Sequence, residues 1–541
     1  MSLKPFTYGE IIMKSILKTD DLIDFKDNIF KSRKYWAIYI VLLLAGSLSM
    51  LSLNNIEHPK MEILMLICIS IIGILLISYY FSNKSQEDLY KVAFVIILVF
   101  GLLCVFAMPI CEPSDCPEHL TRAEITSRGI LFPEYTGNNY TNYYFNGTDY
   151  VWDGTGFETI QSIADIMHNR YNTVFTMEND DEKINNTLVI VEQCAQQNPF
   201  YGYLPQALGI IIAKVLDLNV IWLLWMARIM NLLFYAGIIS LAVKKSPIFK
   251  IPIIFTACLP MAMFQGVSVN VDSMVISLTI FLISYFFYMY KSKENSLNNR
   301  NILIFFSLIL LVSLLKLPYL AFSLLIFAVP KKNFNNTNKM IIFSIIGILI
   351  LVSIGLLWSK YAMISNWHSY RAVHYLSENV NSTMQMNYFL SSWYNLLLFA
   401  SVSLERIGGV SSTFLMYPPS TTLGYTSASD FISLLILVAM SIVYFIYPTD
   451  KKVNLSSKIV SFFTLVILFF GTCFVQFLSW SPIGQLDMSV STRYILPFFI
   501  LIPFIFGLNV LKEKTEFDYY IITLTISFMA LMVMSFIFGF Y

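Results

Sequence analysis

Apolar runs of membrane-spanning length alternate with short polar breaks along most of this 541-residue chain, and one long polar stretch, residues 110–202, interrupts them. The runs fall at 35–53, 61–81, 91–109, 219–243, 251–267, 273–290, 340–359, 429–447, 457–479, 494–511 and 519–540. A shorter pair at 301–315 and 317–330 is split by Lys316-Leu317-Pro318. A helix that crosses a bilayer needs roughly 20 apolar residues, because every backbone donor and acceptor must be satisfied within the segment. The pattern therefore predicts an all-α polytopic membrane protein with about thirteen transmembrane helices. Residues 201–219 are too short and too interrupted for a crossing and read as a segment lying along, or dipping into, the interface.

Inside 110–202 the periodicity changes. The stretch EYTGNNYTNYYFNGTDYVWDGTGFE (134–158) carries Asn-Gly and Asp-Gly pairs that favour tight turns between short strands. Its tyrosines either face a small core or stack on sugar rings. FETIQSIADIMHNRYN (157–172) has apolar residues at helical spacing and reads as a surface helix. The chain thus divides into an N-terminal segment (1–34), three helices (35–109), a mixed α/β insert (110–202) and a membrane bundle (203–541) with a second outer region at about 361–428. No repeat of fixed period is present.

Composition narrows the class: 57% hydrophobic and 13% charged residues with a mean hydropathy of +0.66 are too apolar for a soluble domain. The first 34 residues are polar and mixed in charge, unlike a cleavable signal peptide. Segments assigned to the inner side hold 23 of the 35 Lys and Arg, which orients the N-terminus to the cytoplasm and the insert outward. With 14 acidic residues against 4 basic ones, the insert is no binder of nucleic acid or anionic lipid. Two of Cys111, Cys116 and Cys194 have the means to tie the insert to its root by a disulfide, the pair being open. No P-loop, Gly-rich dinucleotide turn, CxxC or HExxH motif occurs.

Candidate chemistry sits at the edge of the third apolar run. CEPSDCPEHLTRAE (111–124) spaces Asp115, Glu118, His119 and Arg122 at i, i+3, i+4 and i+7, one face of a helix. Structurally, Pro117 suits a first turn, Asp115 an N-cap and Glu118 its capping box, with a Glu118–Arg122 pair behind them. Chemically, a carboxylate fixed where a span leaves the bilayer serves as general base toward an acceptor in water while facing a donor anchored in lipid. Asp115, Glu118 and His119 are also acceptable ligand types for a divalent cation, although no certain cofactor is implied.

Charges within the apolar runs need partners or a cavity. Arg228 lies midway along its run, while Lys316 and Arg493 fall at outer ends, where snorkelling is the alternative to binding a phosphate. Asp272, at another outer turn, reads first as a helix cap and second as a ligand-orienting group.

These stretches also carry a resemblance. DCPEHLTRAEITSRG (115–129) resembles the DEPAHFxRAxxxxxG signature of the prokaryotic multispanning family called domain of unknown function 2142. YGYLPQALGIIIAKVLDLNVIWLLWMARIMNLLFYAGIISLAV is similar to its Y-x-x-x-P, Ala-Arg and Asn pattern; LPMAMFQGVSVNVDS, LLKLPYLAF and STRYILPFF follow in the family's order, the last resembling Q-G-R-Y-x-x-P. That family in turn looks like a branch of the GT-C glycosyltransferases, membrane enzymes that use polyprenyl-phosphate sugars and hold an acidic motif in the first large outer loop.

The resemblance implies a GT-C-like fold and transfer of a sugar from a polyprenyl-phosphate donor to a glycan, lipid-linked glycan or protein acceptor on the outer face of the cytoplasmic membrane. It implies Asp115 as the leading catalytic candidate, helped by Glu118 and His119. Arg493, with Arg228 and Lys316, is then the donor-phosphate site, and Arg122, Tyr203, Asp272 and Tyr494 position substrate. Cys116 stands where the signature has Glu, and Ser491 and Thr492 where it has Gln and Gly; Glu118, one helical step away, is the substitute carboxylate. The rival expectations are a transporter or flippase of lipid-linked glycans, marked by paired broken helices around a midplane site, and a non-catalytic glycan-binding scaffold.

Overall fold

A computed structural model describes residues 27–51, 59–83, 87–111, 116–133, 136–145, 148–169, 172–191, 198–360, 380–413, 429–448, 453–486, 492–507 and 514–541, with backbone alone at Pro117, 136–156, 406–413, Thr492 and 514–515. The N-terminal block is α1 (Arg33–Leu51), α2 (Pro59–Ser82) and α3 (Leu89–Ala107). The insert holds α4 (Cys116–Ser127), β1 (Thr136–Phe145), β2 (Thr148–Ile160), α5 (Gln161–His168) and β3 (Leu188–Val191). The bundle opens with α6 (Leu204–Val215), α7 (Val220–Lys245), α8 (Lys250–Ala257), α9 (Pro260–Val267), α10 (Asp272–Lys291) and α11 (Asn299–Leu315). After a 3-10 stretch at Leu317–Ala328 come α12 (Thr337–Trp358), α13 (Ser382–Leu390), α14 (Trp393–Thr413), α15 (Asp430–Ser441) and α16 (Leu455–Trp480). Turns at Thr492–Tyr494 and Leu496–Leu501 lead into α17 (Ile502–Phe506) and α18 (Lys514–Phe540).

Among the described residues, eight helices are long and apolar enough to cross a membrane (α1, α2, α3, α7, α10, α12, α16 and α18), or nine if α8 and α9, bent by 63°, form one span. The remaining apolar runs are shorter helices: Phe200–Val215, Asn299–Leu315, Leu317–Ala328, Asp430–Ile446 and Leu496–Phe506. The count expected from hydropathy is therefore not reached by long helices alone, and the breaks have local causes. Pro260 opens α9 behind an extended Leu259, and Pro318 opens the 3-10 stretch behind an extended Lys316. A proline has no amide hydrogen for the preceding turn and restricts the residue before it, so a helix stops there.

Helix α18 is nearly all buried and runs through the bundle against α1, α2 and α3, whereas α12 and α16 lie at its rim. One end of the bundle is fastened by Lys34 to Glu516 at 2.6 Å and by the Tyr447 hydroxyl to Asp518 at 2.8 Å. The other is fastened by Ser49 to Ser429 at 2.7 Å and by the Tyr541 hydroxyl to the Val174 amide at 3.4 Å. The insert caps that second end.

Its strands form one antiparallel sheet in the order β1-β2-β3. Phe145 pairs with Thr148, and the Asn-Gly pair between them lies outside the described residues; the tail of β2 (Phe157 to Ile160) pairs with Val191 to Leu188. The surface helix begins only at Gln161, because Phe157–Ile160 are taken into that ladder. The tyrosine side chains of the hairpin lie outside the described residues.

Helix α6, 12 residues long, falls short of a crossing. Its exposed positions Leu204, Leu208, Ile211 and Val215 form one apolar stripe, while Gln206, Gly209, Ile210 and Ala213 face inward. A Cβ on Gly209 would sit 2.2 Å from the Met226 carbonyl oxygen, so glycine lets α6 lie directly on α7.

Candidate functional site

The loop between α9 and α10 delivers Asp272 as the first residue of α10. The expected capping role is overturned: the Ser273 amide is satisfied by the Asn270 side chain at 3.1 Å, and Asp272 makes no cap. Its buried carboxylate instead meets Lys316 Nζ at 3.4 Å and Arg493 Nε at 3.1 Å. Lys316 stands at the broken junction after α11, and Arg493 lies in the turn Thr492–Tyr494. Three breaks in helical structure thus place three charged groups at one point, since a regular helix would have carried each side chain along its wall.

Tyr494 completes the cluster. Its ring centroid lies 3.7 Å from Lys316 Nζ, and its hydroxyl accepts from Arg493 Nη2 at 3.2 Å. The Tyr319 hydroxyl donates to the Tyr494 carbonyl at 2.8 Å, which fixes the turn. Two cations share one carboxylate, so Lys316, Arg493 and Asp272 together carry a net positive charge. Lys316 and Arg493 retain 23% and 14% side-chain exposure, enough to meet a ligand.

A second group faces this one from the insert. On α4, His119 Nδ1 lies 2.6 Å from the Tyr203 hydroxyl, to which Asn198 donates at 3.0 Å. Which of His119 Nδ1 and the Tyr203 hydroxyl donates is set by the imidazole tautomer. His119 lies within electrostatic reach of Asp272. Arg122, buried one turn on, lies over the Tyr203 ring and donates to Thr126 at 2.7 Å and to the Leu131 carbonyl at 2.8 Å, so the expected pairing with Glu118 is replaced. Burial pulls its guanidinium down to about 10, which still leaves it cationic at neutral pH. Glu118 is half-buried on the same helix.

Helix α4 is anchored through Glu124, a buried carboxylate that accepts from Lys214 of α6 at 2.8 Å and Thr159 of β2 at 2.9 Å and pairs with Arg128 at 3.2 Å. The insert and the bundle are therefore locked together beside His119. Below lies a chain of buried amides that sequence reading overlooked. Gln206 donates to Asn231 at 2.9 Å and to the Asn270 carbonyl at 2.8 Å. Asn231 donates to the carbonyls of Gly266 and Ser268, and Asn270 to Gln265 at 2.6 Å. Buried amides are tolerated only when bonded, so this set pins the loop that presents Asp272. Their one sequence signal is an amide inside an apolar run.

Arg228 has a different place. Its Nη1 lies 3.3 Å from the Val105 carbonyl and 3.1 Å from that of Met108, and its Nη2 2.6 Å and 2.8 Å from those of Pro109 and Ile110. The guanidinium closes the carbonyl end of α3, where a helix has no internal donors left, and both Nη atoms are engaged there, which corrects its assignment to a phosphate. Cys116 is a buried free thiol, while Cys111 Sγ lies 3.4 Å from the Ile166 carbonyl; Cys194 is outside the described residues. Asp115 also lies outside them, one residue ahead of α4. Among the described residues, no three His, Cys, Asp or Glu side chains are grouped to hold a metal ion.

A family described as "Predicted membrane protein (DUF2142)" matches residues 98–502, a range that contains every site residue above. No curated protein and no solved structure matches the chain.

Proposed function

The chain belongs to the DUF2142 family of predicted membrane proteins, and on that premise we propose that it is a membrane glycosyltransferase. It takes a sugar from a polyprenyl-phosphate donor and passes it to a glycan, lipid-linked glycan or protein on the outer face of a prokaryotic cytoplasmic membrane. The observation that supports this most is the meeting of Asp272, Lys316 and Arg493 at one end of the bundle, beside His119 and beneath the insert. A surplus of positive charge at the membrane edge suits a phosphate whose lipid tail stays in the bilayer.

In this scheme the acceptor hydroxyl gives its proton to a carboxylate while its oxygen attacks the anomeric carbon. The bond from that carbon to the phosphate oxygen breaks, and the lipid phosphate leaves with both electrons. Lys316 and Arg493 meet the departing charge, and Asp272 holds both cations in place until then. Asp115 is the base, with Glu118 and His119 assisting. Tyr203 fixes the imidazole, Arg122 backs Tyr203, and Tyr494 orients both cations. Counting the bent pair and four of the five shorter helices as spans completes thirteen crossings of a GT-C-like bundle, with Asp272, Lys316 and Arg493 at outer ends.

The bend between α8 and α9 favours a second reading, transport of a lipid-linked glycan, because transporters build midplane sites from broken helices. The charged cluster lies at helix ends, which favours the enzyme. Transfer of labelled sugar by purified full-length protein decides between them. Arg493→Gln and Lys316→Gln each lower the rate by about 100-fold or more if these groups stabilise the leaving phosphate; wild-type rates in both folded variants count against the scheme.

A further inference from the structure

At the end of the bundle away from Asp272, α3 and α7 leave an open groove of about 400 Å³ on the outer wall. Tyr90 and Phe94 of α3 line one side, Phe234, Gly237 and Leu241 of α7 the other, and Lys244 stands at the mouth. The α7 positions follow one helical face. The Ser240 hydroxyl is turned to the Tyr90 carbonyl at 2.8 Å, so the lining stays apolar. Gly237 borders empty space: a Cβ added there meets nothing within 4 Å.

Depth and charge say what fills it. From Phe234 to Lys244 the helix rises roughly 15 Å, about half the hydrocarbon thickness of a bilayer, so the groove is one leaflet deep. Leu241, half-exposed, marks it as lipid-facing. Of the lysines near the mouth, Lys245 lies on the Tyr288 ring at 3.3 Å and Lys91 pairs with Asp88 at 2.7 Å, whereas Lys244 lines the groove with its Nζ 4.9 Å from the Tyr90 ring. We infer that this groove is a binding site for one anionic phospholipid, an acyl chain lying along the Phe234–Leu241 face and the headgroup phosphate beside Lys244. The site is independent of the transferase reading, being at the opposite end of the bundle.

The test is titration of full-length protein in detergent with phosphatidylglycerol and, separately, with phosphatidylcholine of the same acyl chains, bound lipid being counted by native mass spectrometry. Wild type retains one phosphatidylglycerol in preference to phosphatidylcholine. Lys244→Gln weakens phosphatidylglycerol about fivefold, the attraction of one lysine for an anionic headgroup, and leaves phosphatidylcholine unchanged. Gly237→Leu fills the groove, strengthens the helix and lowers retention of both lipids. Equal retention of both lipids by wild type, an unchanged lipid preference in Lys244→Gln, or wild-type retention in Gly237→Leu overturns the site.

Discussion

Arg228 and Arg493 belong to the same apolar bundle, and the structure sets them to different tasks. Arg228 is fully buried and surrounded by the carbonyls that end α3, so its charge is spent on holding the chain where it turns into the insert. Arg493 keeps partial exposure and faces a carboxylate that it shares with Lys316. A guanidinium whose two Nη atoms are taken by backbone carbonyls has little left for a ligand, whereas one paired with half a carboxylate can exchange partners when an anion arrives. Partner type therefore separates an architectural cation from one proposed to meet a ligand better than position along a span does.

The largest effect should come from removing the architectural one. Arg228→Leu leaves up to four buried carbonyls without a donor and should cost about 3 kcal/mol or more, seen as loss of folded protein in a detergent melt; Arg228→Lys should not rescue it, because one ammonium lacks the planar fork. A folded, stable Arg228→Leu protein with impaired ligand binding would erase the contrast. Asn231→Leu should come next, at about 2 kcal/mol, since the Gly266 and Ser268 carbonyls lose this donor and Gln206 keeps only the Asn270 carbonyl. Arg493→Gln should leave the melting temperature nearly unchanged while lowering transfer about 100-fold or more, and a collapse of stability there would make it a second Arg228. Tyr203→Phe is the smallest change: it removes the hydroxyl shared by His119 Nδ1 and Asn198, lowers transfer about tenfold and moves the pH profile, while a stability loss without a change in pH profile would mark Tyr203 as packing only.

The sequence made the spans legible because bilayer crossing demands uninterrupted apolar runs, and the eight long helices fall on eight of the expected windows. Lys316 and Arg493 were legible for the same reason, as charges in places that penalise them. Asp272 was misread because an acidic residue before an apolar run is the usual mark of a helix cap, and only the structure reveals that Asn270 already supplies it. Arg228 was misread because hydropathy says nothing of partners, and its partners are backbone carbonyls more than a hundred positions away. The amides Gln206, Asn231, Gln265 and Asn270 escaped because each is unremarkable alone and acquires meaning only when α6, α7 and α9 meet. The hairpin was visible in its Asn-Gly pair, yet the start of α5 was not, since β3 claims Phe157–Ile160 from a distance.

The central claim is tested most directly by transfer of labelled sugar from membrane polyprenyl-phosphate sugars to endogenous glycans, with purified wild type and Asp115→Asn compared in matched lipid. Asparagine keeps the size of the side chain and removes the base. The account predicts transfer by wild type and its loss in a folded Asp115→Asn protein; equal transfer by both, or none by wild type supplied with such donors, would contradict it.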